Sequence, residues 1–115
     1  MGLDLANAKL LVHVVLISFR DGISVDARRR FLDHHQSLGA RCGGLAAGIA
    51  YWQVSENLDQ RKNWHAVQLS LFRDREALRH FAAHPEHLKA GEQLRKIADW
   101  AVGDVETIGE AGVLG

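Results

Sequence analysis

Between Leu10 and Arg20 the chain reads L-L-V-H-V-V-L-I-S-F-R, apolar and β-branched on both alternating sets of positions. A strand with that pattern must be covered on two faces. Asp21-Gly22 makes a turn, and Ser24 is placed to cap a helix reaching about Leu38, with Phe31, Leu32, His35 and Leu38 at helical spacing. Gly39, Gly43 and Gly44 end it. Leu45 to Glu56 reads as a second strand, on which the neighbours Tyr51 and Trp52 take opposite faces. Asn57 to Asn63 is polar and forms a surface loop. Trp64 to Phe72 alternates as a third strand, placing His65, Val67, Leu69 and Leu71 on one face and leaving the other more polar.

Asp74 is positioned to cap a short helix carrying Ala77, Leu78 and Phe81. His84-Pro85 interrupts it, because a residue before proline avoids the α region while proline suits the first turn of a new helix. That helix is expected to run from Pro85 to Ala101, with His87, Leu94, Ala98 and Ala101 near one stripe, and a short final strand from Val102 to Ile108 follows. The order β-α-β-β-α-β predicts an α+β, ferredoxin-like sandwich: a four-stranded antiparallel sheet with both helices on one face. Burial of the opposite face, including half of the first strand, then calls for another subunit. Residues 1–9 read as a loose leader, 10–108 as the domain and 109–115 as a C-terminal tail.

Composition removes several alternatives. At 115 residues the chain is one domain's worth. Fourteen Lys and Arg balance fourteen Asp and Glu, which leaves no net field for gathering nucleic acid. Arg28, Arg29 and Arg30 form the one basic run and read as a solvated helix face. The single cysteine, Cys42, cannot form an internal disulfide, and there is no signal peptide or long apolar span, so no membrane partner is predicted and a cytoplasmic location is expected. No H-E-x-x-H motif is present, His84 and His87 straddle the Pro85 break, and Gly39, Gly43 and Gly44 precede a strand instead of cradling a phosphate. Neither a metal nor an organic cofactor is therefore predicted.

Three stretches resemble the stress-responsive A/B barrel family: H-V-V-L-I-S-F-R-D-G from His13 to Gly22, F-R-D-R-E-A-L-R-H-F-A-A-H-P-E-H-L-K from Phe72 to Lys89, and V-G-D-V-E-T-I from Val102. The resemblance implies a homodimeric αβ barrel built from two four-stranded sheets, with a cleft between sheet and helices in each subunit. Plant polyketide-cyclizing members use a cleft histidine at the end of H-P-x-H and a tyrosine on the preceding helix. These positions correspond to His87 and Phe81, and Phe81 has no hydroxyl. A first-strand cleft histidine corresponds to His13. His65 stands seven positions before Phe72, one more than in those enzymes, which turns it to the other face of a regular strand. Efficient polyketide cyclization is accordingly not expected.

Within such a cleft His87 and His13 are the candidate catalytic residues, and His13, His35, Trp52, Phe81, His84 and His87 the candidate ligand contacts. His87 falls in the first turn of the Pro85 helix, where the positive end of the dipole favours neutral imidazole and thus a base or acceptor. His13 needs a partner if buried, and reads either as a satisfied structural histidine or as a second polar anchor. His84 can hold the turn before Pro85. His35 shares the apolar side of its helix with Phe31 and Leu38, whereas His34 points elsewhere. The predicted function is binding of a small apolar or aromatic ligand. The alternatives are a cofactor-independent cyclase, isomerase or lyase acting on a partly aromatic or polyketide-like substrate, and a purely structural dimer.

Overall fold

The computed structural model describes residues 9–107. The leader up to Ala8, Ile108 and the 109–115 tail lie outside the described residues. The elements are β1 (Leu11–Phe19), α1 (Val25–Gln36), α2 (Leu38–Arg41), β2 (Ile49–Glu56), β3 (Ala66–Phe72), α3 (Arg75–Ala83), α4 (Pro85–Arg95) and β4 (Ala98–Glu106). The strands form one antiparallel sheet in the order β2-β3-β1-β4, with the helices on one side. The β-α-β-β-α-β order and the ferredoxin-like class are therefore as expected. Among the described residues no helix is long and apolar enough to cross a membrane.

Local chemistry sets most boundaries. The Ser24 hydroxyl accepts from the Ala27 N–H at 3.0 Å to start α1, and the Asp74 carboxylate accepts from the Ala77 N–H at 2.8 Å to start α3. Pro85 occupies the first turn of α4, and the His84 ring caps it by accepting from the Glu86 N–H at 3.0 Å. The predicted first helix is divided at Ser37 into α1 and α2, and the second strand begins at Ile49 because Leu45 belongs to a 3₁₀ turn closed by Gly48 at φ 86°.

The largest correction concerns residues 96–101. The sequence pattern predicts that they continue the helix from Pro85, yet α4 stops at Arg95 and Ala98 opens a nine-residue strand. Ala98, Trp100 and Ala101 fit a period of two as well as a helical stripe. Pairing decides between them, since β4 matches β1 residue for residue from Phe19↔Ala98 to Leu11↔Glu106 and satisfies the backbone along one edge of β1.

Two apolar clusters fill the space between sheet and helices. Leu11, Leu38, Ile49, Phe72, Ala77, Phe81 and Ala90 make one, and Val15, Ile17, Phe19, Ala66, Leu94 and Ala98 the other. On this face of β1, His13 separates Leu11 from Val15, so the clusters meet at a polar position. The opposite face of the sheet has no helix on it. It carries Val12, Val14 and Leu16 of β1, Val67, Leu69 and Leu71 of β3, Tyr51 of β2 and Val105 of β4, as the strand registers require. The apolar set of β3 thus lies away from the helices, while its more polar set, Ala66, Gln68, Ser70 and Phe72, is buried beneath them.

Close packing between α2 and β2 is specific enough to test. A Cβ added at Gly39 would stand 2.7 Å from Cγ and 2.9 Å from Cβ of Trp52. Gly39→Ala is expected to destabilise the fold by about 1–3 kcal/mol, the usual cost of overpacking. Chemical denaturation monitored by tryptophan fluorescence measures it, and an unchanged midpoint would show that Trp52 moves freely.

Candidate functional site

Where the two clusters meet, a cavity of about 610 Å³ opens between the sheet and helices α3 and α4. Its walls include Val15, Leu78, Phe81, Leu94, Trp100 and Val102, with His13, His35, Gln68 and His87 as polar members. Exposed Lys89, Glu92 and Arg95 belong to the rim, and Glu92 accepts from Arg95 at 2.6 Å. A volume of several hundred Å³, apolar walls and a few convergent polar groups are what a small-molecule site requires. A polar groove of about 570 Å³ lies elsewhere, between α1 and the end of β2, and contains His65 but neither His13 nor His87.

The β1–β4 register places His13 opposite Asp104, and Nδ1 of the ring lies 2.5 Å from the Asp104 carboxylate. An ionised carboxylate only accepts, so Nδ1 carries the proton and Asp104 orients the ring. On the other side of β1, the Ser70 hydroxyl donates to the His13 carbonyl at 3.1 Å. His13 is 9 % exposed, with its ring edge-on to Phe72 and Phe81 at centroid distances of 5.9 and 6.3 Å.

His87 approaches from α4. Its Nδ1 donates to the Ala82 carbonyl at 3.0 Å, and its ring packs on Phe81 at 4.5 Å between centroids. Burial pushes its pKa below the ordinary histidine value, against the opposing effect of the Ala82 hydrogen bond, and the positive fields of His13 and His84 add to the depression. Neutral imidazole with Nδ1 protonated leaves Nε2 as an acceptor or base.

His35 and Gln68 form the floor. Nε2 of His35 donates to Oε1 of Gln68 at 3.0 Å, while the ring stacks on Phe31 at 5.0 Å. Burial lowers the pKa of His35 to about 4, outweighing the Gln68 hydrogen bond, with Arg41, His87 and His34 contributing further repulsion. Helix α1 is tied to β2 here: Trp52 Nε1 donates to the His35 carbonyl at 3.3 Å, and the Gln36 side-chain Oε1 accepts from the Val54 N–H at 2.6 Å.

Of the residues singled out from sequence, His13, His35, Phe81 and His87 line one cavity. Trp52 stands behind it, against Phe81 at 5.5 Å and His35 at 6.0 Å. His84 is occupied in capping α4. His65 precedes β3, and its Nδ1 accepts from the Phe19 N–H at 2.9 Å. Gln68, Asp104, Trp100 and Val102 are site residues that sequence reasoning missed. The polar set of β3 contains Gln68, and Asp104 lies in the V-G-D-V-E run, but pairing is needed to bring either to the site. Among the described residues, no group of three or more His, Cys, Asp or Glu is arranged to hold a metal ion.

The fold and cavity define an αβ sandwich with a cleft between sheet and helices. The chain belongs to the stress responsive A/B barrel domain family, whose model matches residues 11–107. It is 26 % identical over 98 residues to an uncharacterized protein of Streptomyces coelicolor, covering 84 % of this chain and 99 % of the relative. A dimeric protein of unknown function and ferredoxin-like fold from Bacteroides fragilis is similar in structure, with a TM-score of 0.70, 23 % identity, and coverage of 85 % of this chain and 96 % of that one. The hydroxynitrile lyase of Passiflora edulis has a TM-score of 0.73 at 13 % identity, with coverage of 87 % and 94 %. At these identities the structural likenesses show a shared fold.

The His35 environment links the site to stability. Its pKa is 6.5 in the unfolded reference and about 4 when folded, so between these values the unfolded chain binds the extra proton. The contribution is complete above about pH 6.5 and is lost as pH falls toward 4, amounting to about 3 kcal/mol over the interval. Denaturation measured from pH 7 to 4 is expected to show this slope, and His35→Phe should flatten it.

Proposed function

We propose that the protein is a homodimer that binds a small, partly apolar molecule in this cavity, with His87 and the Asp104-oriented His13 as its polar anchors. The observation that carries the reading is the convergence of two differently tethered imidazoles on one mostly apolar cavity. Each ring gives its Nδ1–H to the protein and retains Nε2 as an acceptor when neutral. Such a pair can bind a hydroxyl or accept a proton, while the aromatic and aliphatic walls supply most of the contact.

Proton transfer to one of these rings is the chemistry that the site supports if the ligand is also turned over. A lyase or isomerase needs a base beside the labile proton and an apolar wall that excludes water. The lyase activity of a protein with this fold, the Passiflora enzyme, makes that class worth assaying. Phe81 on the cavity wall cannot supply a hydroxyl, which argues against the polyketide-cyclizing arrangement.

Dimerisation is supported by the helix-free face of the sheet. Leu69, Tyr51 and Val105 are 39 %, 45 % and 65 % exposed within a broader apolar surface. A second copy would cover that face, and the Bacteroides structure is of a dimeric protein. An obligate interface of this kind commonly buries at least about 2,000 Å² in total.

The binding reading is tested by titrating small aromatic alcohols and ketones while following tryptophan fluorescence, with Trp100 as the reporter on the wall. His87→Ala should weaken binding about tenfold while leaving the fold and assembly intact. Unchanged affinity in the folded variant would overturn the role of His87. For the assembly, sedimentation equilibrium should find a dimer at micromolar concentration, and Leu69→Arg should shift it to monomer; a stable wild-type monomer would refute the dimer.

A further inference from the structure

Gln68 is buried at the centre of the sheet, 4 % exposed, and lies on the cavity wall opposite Val15 of β1 and Val54 of β2. Its oxygen accepts from the His35 ring at 3.0 Å with the proton on Nε2, and in that tautomer a flipped amide would set an N–H against an N–H. Among the described residues the amide nitrogen has no hydrogen-bond partner, yet no buried side-chain nitrogen or oxygen is left without one. These facts agree if the NH₂ group is reached from the cavity that Gln68 lines. An almost wholly buried donor there loses free energy unless something occupies it.

The two imidazoles on the cavity wall, buried His13 and half-buried His87, have the opposite character. His13 and His87 each spend Nδ1–H on the protein, on Asp104 and on the Ala82 carbonyl, so Nε2 of either ring offers a lone pair whenever it carries no proton. Lys89 and Arg95 are donors as well, but both are exposed at the rim. The interior consequently presents one amide donor on the floor and imidazole acceptors on the walls.

Resting on the reading of this cavity as a binding site, we infer that Gln68 is a specificity-determining residue that donates to a carbonyl-type oxygen, and that the ligand is a small apolar hydroxycarbonyl compound. The carbonyl lies against the Gln68 amide, and the hydroxyl donates to an imidazole. His35 is the positioning residue: its N–H holds the Gln68 oxygen and thereby keeps the amide nitrogen toward the cavity. A donor held by such a contact discriminates against an analogue that lacks the matching acceptor, because that analogue leaves the buried N–H unpaired.

Calorimetric titration of the intact protein with phenacyl alcohol, which carries both groups, and phenethyl alcohol, which lacks the carbonyl, tests the inference. Phenacyl alcohol should bind about tenfold more tightly. Gln68→Met keeps the length of the side chain and removes the donor, so it should weaken phenacyl alcohol binding about tenfold more than phenethyl alcohol binding and thereby abolish this preference. In the unmodified protein, the Gln68 side-chain amide resonances should shift with phenacyl alcohol and stay in place with phenethyl alcohol, a readout that needs no variant to fold. Equal affinities for the two alcohols, unmoved amide resonances, or equal losses of both alcohols in folded Q68M would overturn the role of Gln68 and leave the cavity reading standing. Absence of binding by both alcohols, and by acetophenone, would overturn the cavity reading and this inference together.

Discussion

The register of β4 against β1 is the constraint on which the site depends. His13 is opposite Asp104 on one side of β1 and opposite Ser70 on the other, so a single strand residue is held by two neighbours at once. A slip of one residue would turn Asp104 and Trp100 to the helix-free face and leave the His13 ring without its carboxylate. The pairing from Phe19↔Ala98 to Leu11↔Glu106 resists that slip, because a shift would break the ladder hydrogen bonds of this edge of β1 together. The same alignment delivers Trp100 and Val102 to the cavity. Through this long, regular ladder a histidine and an aspartate 91 positions apart in sequence become hydrogen-bonded partners.

Placing polar groups beneath the helices has a structural cost, and the fold offsets it with specific partners. His35 is matched to Gln68, His13 to Asp104, and the Ser70 hydroxyl to the His13 carbonyl. These contacts interrupt what would otherwise be one apolar core, dividing it into clusters on either side of His13. The cavity occupies that interruption. Its polar groups differ in electrostatic character, since His35 is held neutral by deep burial whereas His13 retains a carboxylate beside it. The His35 floor of the cavity therefore does not change charge in the neutral range.

The two faces of the sheet meet different demands. On the helix side its polar positions are needed for the cavity, and on the other side its β-branched and aliphatic positions form a surface suited to a second sheet. The usual expectation that the more apolar face of a strand points to its own helices is reversed in β3, where Gln68 and Ser70 are buried and Leu69 is partly exposed. That reversal is intelligible if the helix-free face is covered by the proposed second subunit, so that both faces of β3 are buried.

Local patterns in the chain were enough to establish the element order, the caps at Ser24 and Asp74, the break at His84-Pro85 and the double-sided character of β1. Each of these depends on residues close together in the chain: a hydroxyl or carboxylate beside free helix N–H groups, a proline ring, or an uninterrupted apolar run. His13, His35, Phe81 and His87 were legible too, because polar or aromatic residues stood out on otherwise apolar elements. Residues 98–101 are a different case, since Ala98, Trp100 and Ala101 satisfy either period until β1 offers them a ladder, and long-range pairing makes them strand. The membership of Gln68 and Asp104 in the site has the same origin. Neither differs locally from a solvent-facing residue, and what sets them apart is a partner that strand pairing or helix packing brings from far along the chain.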